Sequence, residues 1–258
     1  MENAIELVNV SKKFRLYRDR PQTLKEAVVR WNRKEYKEFF ALRNVSMKIK
    51  KGSTVGIIGK NGSGKSTLLK IINRTMYPDG GAVKVTGAVA SLIELGAGFH
   101  PELSGRENIY INASIFGLTG KEIRERLPAV VDFAELAAFI DNPVRTYSSG
   151  MYARLGFAVA IHVDADILLI DEILGVGDMN FQEKCAAKIF ELHRAGKTMI
   201  IVSHVMPAIG SLCDYAFWLE RGELRAEGAP ESVKRQYAMF MRQDAGKPAP
   251  ENRAEENC

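Results

Sequence analysis

The sequence predicts an α/β fold with a parallel β-sheet, and three stretches carry that prediction. Residues 54–58 form a short apolar strand that ends in a glycine-rich turn, and residues 65–73 then carry apolar side chains at helical spacing. Two more apolar runs, 167–170 and 199–202, are predicted strands, and a predicted helix at about 180–195 separates them. Strands that alternate with helices are typical of a parallel sheet.

The remaining elements follow from local patterns. Apolar and polar residues alternate at 5–10 and at 45–49, which predicts two more strands. A last helix is predicted at 231–242, and residues 244–258 have almost nothing to bury, so we expect them to be disordered. Two capping boxes predict a helical middle of the chain: Ser104 with Glu107, and Thr119 with Glu122.

The composition is that of an ordinary globular protein. Of the 258 residues, 46% are apolar and 26% charged, and the net charge is +5. The three cysteines show no C-x-x-C pairing, so we expect a reducing cytosol and neither a metal nor a disulfide framework. No signal-peptide core is present, and no apolar run reaches the roughly 18 residues that a membrane span needs. We therefore expect any membrane role to require a partner.

Positive charge is concentrated near the N-terminus. Residues 12–51 hold fourteen Lys or Arg and four Asp or Glu, a net of +10. Leu24, Val28 and Trp31 share one helical face there, which predicts an amphipathic basic helix inserted at about 21–38. A solvated surface helix and a surface for anionic lipid or a pyrophosphate-linked carrier both fit this pattern. Nucleic acid is not expected, because no interleaved aromatic residues accompany the charge.

A glycine-rich loop follows the predicted strand at 54–58. Residues 59–66, Gly-Lys-Asn-Gly-Ser-Gly-Lys-Ser, fit the P-loop pattern G-x-x-x-x-G-K-[ST]. In this pattern, glycines let successive backbone N–H groups converge on phosphate oxygens. Lys65 would add a positive charge for the β- and γ-phosphates, and the Ser66 hydroxyl would ligate Mg²⁺. The sequence therefore predicts ATP and Mg²⁺ as ligands, with the nucleotide bound by Gly59, Lys60, Asn61, Gly62, Ser63, Gly64, Lys65, Ser66 and Thr67.

Two other predicted strands end in residues suited to phosphoryl transfer. Asp171 and Glu172 follow the run 167–170, and the carboxyl ends of parallel strands form the ligand-binding edge of such sheets. Asp171 suits the Mg²⁺ shell, and Glu172 suits a general base that activates the attacking water. His204 follows the next strand and is expected near the γ-phosphate. The predicted catalytic residues are therefore Glu172, His204 and Lys65.

With these motifs, the chain resembles the ATP-binding cassette (ABC) ATPases over residues 1 to about 241. Residues 147–151, Tyr-Ser-Ser-Gly-Met, keep Ser148 and Gly150 of the family's usual Leu-Ser-Gly-Gly-Gln signature. Three stretches are similar to the polysaccharide-export branch, which exports O-antigen, capsule or teichoic-acid polymers: residues 93–101, 147–151 and 171–178. The insertion at 21–38 is also similar to one in that branch.

The resemblance implies a RecA-like parallel sheet core, an N-terminal antiparallel β subdomain and an α-helical subdomain at about 100–162. All three belong to one nucleotide-binding domain, residues 1–243. The implied working unit is a head-to-tail homodimer that docks on a membrane-spanning subunit at the cytoplasmic face of the inner (plasma) membrane. A lipid-linked polysaccharide is the implied cargo. Signature residues acting in trans would be Ser148, Ser149 and Gly150; the dimer contact would be Asp178; and the Mg²⁺ ligands would be Ser66, Asp171 and Glu94, which takes the place of the family's Q-loop glutamine.

Some alternatives stay open at this point. Adenine is expected to stack on Phe14 or Tyr17, and Phe14 has the better motif position. A soluble ABC ATPase of DNA repair or translation is disfavoured, because the long coiled-coil insertions and second cassette of those types are not seen. Glu172 and His204 disfavour a nucleotide-binding regulator without turnover, and the region around Glu94 disfavours an importer.

Overall fold

The computed structural model describes residues 2–17, 36–92, 96, 98–171, 177–202 and 206–245. Several predicted features lie outside these residues, namely most of the basic insertion, the tail from residue 246 onward, Glu94, Glu172 and His204.

Within the described residues, the chain forms nine β-strands, seven α-helices and a short 3₁₀ turn at Val144–Thr146. The strands are β1 (Asn3–Tyr17), β2 (Tyr36–Lys50), β3 (Thr54–Ile58), β4 (Gly80–Val85), β5 (Val89–Ser91), β6 (Ile167–Asp171), β7 (Thr198–Val202), β8 (Tyr215–Glu220) and β9 (Glu223–Gly228). The helices are α1 (Lys65–Ile72), α2 (Gly105–Ile115), α3 (Gly120–Ala134), α4 (Ser149–His162), α5 (Met179–Arg194), α6 (Met206–Leu212) and α7 (Pro230–Ala245).

The core is a six-stranded sheet in the order β5-β6-β7-β3-β8-β9. Its first five strands run parallel, and β9 pairs antiparallel with β8. Every residue of β3 and β7 is buried, as expected for strands of a parallel sheet that is covered on both faces. The predicted α/β fold with a parallel sheet is confirmed.

β1, β2 and β4 form a separate antiparallel sheet, which confirms the predicted N-terminal β subdomain. The pairing of β1 with β4 reaches Ser11, and beyond it β1 and β2 continue as a two-stranded ribbon, residues 12–17 and 36–42. Residues 36–38 are therefore part of a strand, and the prediction that the helical insertion extends to residue 38 was wrong at that end. Cross-strand pairing with β1, which ends in the pair Tyr17 and Tyr36, fixes these residues as strand.

Helices α2, α3 and α4 make up the predicted helical subdomain. Both predicted capping boxes are present: the Ser104 hydroxyl accepts from the Glu107 amide at 3.2 Å, and the Thr119 hydroxyl accepts from the Glu122 amide at 3.4 Å. Asn108 is fully buried, and its side-chain amide donates to backbone carbonyls of the loop before α2. These contacts satisfy backbone groups at the N-termini of α2 and α3 and hold the loop that precedes α2.

The C-terminal helix is longer than predicted. It continues through Ala245, so residues 244 and 245 are helical, and the prediction that disorder begins at residue 244 was wrong there. The aromatic rings of Tyr237 and Phe240 pack on Trp218 of β8, with ring centroids 5.6 and 5.1 Å from that of Trp218. These contacts anchor the helix to the core sheet. Among the residues with described structure, no helix has both the length and the apolar character that a membrane span requires.

Candidate nucleotide-binding site

Three parallel strands end side by side at one edge of the core sheet. Ile57 of β3 pairs with Val202 of β7, and Val202 pairs in turn with Asp171 of β6. The glycine-rich loop after β3 and the carboxylate of Asp171 therefore meet at the same edge, as ligand sites of open α/β sheets do. Glu172 follows Asp171 directly and His204 comes two residues after Val202, but both lie outside the described part of the chain.

The loop after β3 adopts a backbone that only glycine fits at two positions. Gly59 has a φ of 153° and Gly64 a φ of 104°, a region that residues with a Cβ rarely enter. A Cβ at Gly59 would lie 2.1 Å from the Leu219 carbonyl oxygen, and one at Gly64 would lie 2.4 Å from that of Ala41. The loop is therefore packed tightly between β2 and β8, in a curve whose amides suit phosphate oxygens.

Lys65 lies inside this curve. It is only 7% exposed, and its ammonium donates to the carbonyl oxygens of Gly59 at 2.7 Å and Lys60 at 2.9 Å. Leu68 donates the first hydrogen bond of α1, to the Gly64 carbonyl, so the amides of the preceding residues face away from the helix, toward the loop. A buried cation and a helix N-terminus together make a site for an anion such as a phosphate group.

A cavity of about 370 Å³ opens beside the loop. It brings the predicted Mg²⁺ ligands Ser66 and Asp171 to one space, and the Ser66 side chain is exposed there. Two residues that sequence analysis missed, Phe39 and Ala41 of β2, also border it. Predicted site residues that line the cavity are Phe14, Asn61, Gly62, Gly64, Lys65, Ser66, Thr67 and Asp171, whereas Gly59, Lys60 and Ser63 lie in the loop behind it.

Of the two candidates for adenine stacking, the structure describes the side chain of Phe14 and not that of Tyr17. Phe14 lies on β1, borders the cavity and is 37% exposed. Tyr17 is the last residue of the same strand, and its side chain lies outside the description. Phe39 could have been noticed in the sequence as part of the Phe39-Phe40 pair, but its register against β1 depends on a pairing that local patterns do not reveal.

The signature residues begin helix α4. Ser148 is its N-cap, with the hydroxyl accepting from the Met151 amide at 3.2 Å, and both Ser148 and Ser149 are exposed. Residues 148–150 are not among the described residues that line the cavity. Burial and, secondarily, the Asp141 carboxylate raise the pKa of Tyr147, whose hydroxyl donates to the Phe139 carbonyl at 2.8 Å. This residue therefore fixes the turn from which an exposed helix N-terminus projects.

Asp178 has contacts within its own chain. Its carboxylate caps α5 by accepting from the Phe181 amide at 2.9 Å, and its second oxygen pairs with Arg154 of α4. The Arg154 guanidinium also binds Glu135 at 2.9 Å. Asp178 thus ties the helix that begins at the signature to the start of α5, and a dimer contact by this side chain remains a prediction.

A second cavity, of about 350 Å³, lies between the core and the helical subdomain. Gly96 and Phe99 border it; Glu94, two residues before Gly96 in the sequence, lies outside the described residues. The Tyr152 hydroxyl donates to the Gly96 carbonyl at 2.8 Å, and the Tyr152 ring packs edge-on against Phe99. Ile115, at the end of α2, also borders this cavity and is 70% exposed. An apolar cleft is therefore open at the surface.

Comparisons with known proteins agree with this geometry. The family model described as "ABC transporter" matches residues 42–175. The O-antigen export system ATP-binding protein RfbB of Klebsiella pneumoniae is 43% identical over 245 residues, which cover 93% of this chain and 100% of that protein. RfbB of Myxococcus xanthus is 48% identical over 91% of this chain and 55% of its own length. The teichoic acids export ATP-binding protein TagH of Lactococcus lactis is 45% identical over 90% of this chain and 50% of its own length. The chain thus spans about half the length of two of these relatives.

Solved structures support the fold. A dimeric ATP-binding cassette in a post-hydrolysis state with ADP and phosphate has a TM-score of 0.70 at 24% identity, covering 88% of this chain and 98% of that one. An ATP-binding subunit of an ABC transporter has a TM-score of 0.73 at 21% identity, covering 92% and 94%.

Proposed function

Since this chain belongs to the ABC transporter family and carries its ATP-hydrolysing domain, we propose that it powers the export of a lipid-linked cell-surface polysaccharide through a membrane-spanning partner. The observation that carries the proposal is the 43% identity to a relative along that relative's full length, since that protein is named for O-antigen export. A relative named for teichoic-acid export supports a polymer as cargo.

The loop after β3 and the start of α1 bind ATP. The loop amides and the helix N-terminus bind the phosphate oxygens. The ammonium of Lys65, which lies against the Gly59 and Lys60 carbonyls, binds the β- and γ-phosphates. Phe14, which borders the same cavity, stacks on the base.

Hydrolysis needs a metal ion and a base. The Ser66 hydroxyl and the Asp171 carboxylate border one cavity and are hard oxygen donors that suit Mg²⁺, with Glu94 as a third ligand. When bound, Mg²⁺ neutralises charge on the phosphates. Glu172 accepts the proton of the attacking water, and His204 donates a hydrogen bond to the γ-phosphate.

Each site is completed by a second copy of the chain in a head-to-tail homodimer. The exposed N-terminus of α4, with Ser148 and Ser149, is unlike a buried structural cap and is suited to meet a phosphate from outside the chain. Residues 148–150 are not among the described residues that line the nucleotide cavity of their own chain, which supports a role in trans.

Mixing two defective subunits tests the composite site. Lys65→Ala disables one chain's P-loop, and Gly150→Asp places a carboxylate where the partner's phosphate approaches. Each homodimer is expected to be inactive. In a one-to-one mixture, half of the dimers are mixed and hold one intact site, so at most about a quarter of wild-type ATPase activity should return if dimers form at random. Steady-state phosphate release measures this, with the exposed Lys51→Ala as a control. A mixture that stays as inactive as the two parent homodimers, the result expected if each chain completed its own site, would contradict the head-to-tail arrangement.

The membrane-spanning partner docks in the cleft beside Phe99 and Ile115. This cleft lies between the core, which holds ATP, and the helical subdomain, which carries the signature, so closure of the site reaches the partner through it. The chain accordingly works as a peripheral protein at the cytoplasmic face of the inner (plasma) membrane.

Purification from membranes tests this function. The tagged chain, solubilised from its native membranes in mild detergent, is expected to bring along one integral membrane protein, identified by mass spectrometry. An Ile115→Glu variant, which places a charge in the cleft, is expected to lose that protein while it still binds ATP. If wild-type chain yields no membrane protein, or a protein encoded with a solute-import system, the export proposal is wrong.

A further inference from the structure

The ribbon of β1 and β2 carries aromatic side chains on both faces, and the described rings differ in whether a cation lies over them. The Phe40 ring has the ammonium of Lys13 at 4.9 Å and the guanidinium of Arg43 at 4.7 Å from its centroid. Arg15 covers the Tyr36 ring in the same way, also at 4.7 Å. These cation–π contacts satisfy the rings of that face within the chain.

Phe14 and Phe39 lie on the other face, toward the nucleotide cavity. They are direct cross-strand partners, so their side chains project from the same side of the ribbon. Both border the 370 Å³ cavity together with Lys65. Phe39 is 47% exposed and Phe14 is 37% exposed, although aromatic rings on strands are usually covered. Two neighbouring rings therefore present apolar surface to a cavity that the P-loop also borders.

We propose that Phe39 is a second base-binding residue, which forms with Phe14 the aromatic wall for the purine of the bound nucleotide. The assignment rests on the proposed ATP site and deepens it. Lys12 already lies 5.9 Å from the Phe14 ring centroid and also pairs with Asp79, so part of the Phe14 surface is in use. Phe39 supplies the additional apolar surface that a two-ring base covers.

Comparing two ligands separates base binding from phosphate binding. Titration calorimetry is carried out on the full chain with MgATP and with magnesium tripolyphosphate, which has the phosphates and no base. Phe39→Ala is expected to weaken ATP binding about five- to tenfold, the lower end of the loss for one base–aromatic stack because Phe14 remains, and to leave tripolyphosphate binding unchanged. Phe39→Tyr, which keeps the ring, should restore ATP affinity. The matched control is Phe40→Ala on the opposite face, which should change neither affinity.

Unchanged ATP affinity in Phe39→Ala would overturn the proposal. An equal loss for both ligands would also overturn it, because the change would then act on the P-loop and not on the base. Phe39→Leu, which keeps apolar volume at this exposed position, provides the same comparison if the alanine variant folds poorly. A wild-type chain that binds tripolyphosphate and not ATP would refute this assignment alone, whereas one that binds neither would refute the proposed function as well.

Discussion

Replacing Glu172 by Gln is expected to abolish turnover while ATP binding persists. The substitution keeps the size of the side chain and removes the carboxylate that accepts a proton from the attacking water. General bases typically contribute about 10²- to 10⁴-fold to the rate, so kcat should fall by at least about 10²-fold. The P-loop contacts are untouched, and the dissociation constant for MgATP should stay within about twofold.

Single-turnover and steady-state phosphate release measure kcat, and calorimetry measures the dissociation constant for MgATP. Glu183→Gln is a matched control, because Glu183 is an exposed residue of α5. An ATP-bound dimer should accumulate in the Glu172→Gln protein and be visible by size-exclusion chromatography. Near-normal turnover would remove Glu172 from its assigned role and would leave Asp171 as the acidic group to examine.

Replacing Lys65 by Ala is expected to weaken ATP binding itself. The ammonium is buried within the P-loop curve, where it lies 2.7 Å from the Gly59 carbonyl oxygen. Charge-assisted hydrogen bonds contribute about 1.5–3 kcal/mol, so affinity should fall about 10- to 100-fold. ATPase activity should be lost for the same reason.

The Lys65→Ala result needs a check on folding, since the ammonium also holds two loop carbonyls. The unfolding temperature of the nucleotide-free Lys65→Ala protein should change only modestly. Lys65→Arg should keep the charge, but its longer, planar group fits the loop poorly. The exposed Lys51→Ala should bind ATP normally. Wild-type affinity in a folded Lys65→Ala protein would contradict the assignment of the P-loop.

Local motifs made much of the fold predictable from the sequence. The apolar runs of β3, β6 and β7 and the two capping boxes depend on neighbouring residues, and each lies where it was predicted. β4, β5, β8 and β9 were missed. β5 has three residues, and β5 and β9 are edge strands, so they carry little pattern of their own.

The candidate site was predictable to a similar degree. The chain order of P-loop, acidic pair and histidine indicates three parallel strand ends, and the pairing of Ile57, Val202 and Asp171 places these three strand ends at one edge of the core sheet. Phe39 was missed because its place depends on register with β1, a contact between residues 25 apart in sequence. A site shared between two chains also cannot follow from one chain's local patterns, since it depends on the dimer's symmetry.

Export in the host cell when the ATPase is stopped tests most simply whether this chain powers it. Cells that carry Glu172→Gln as their only copy, at wild-type protein levels, are compared with cells that carry Glu183→Gln. Surface polysaccharide is quantified by extraction, and lipid-linked polymer is quantified in the inner membrane. We predict that surface polymer is lost and lipid-linked polymer accumulates inside the Glu172→Gln cells alone. Normal surface polysaccharide in cells whose ATPase is inactive would contradict the claim that this chain powers its export.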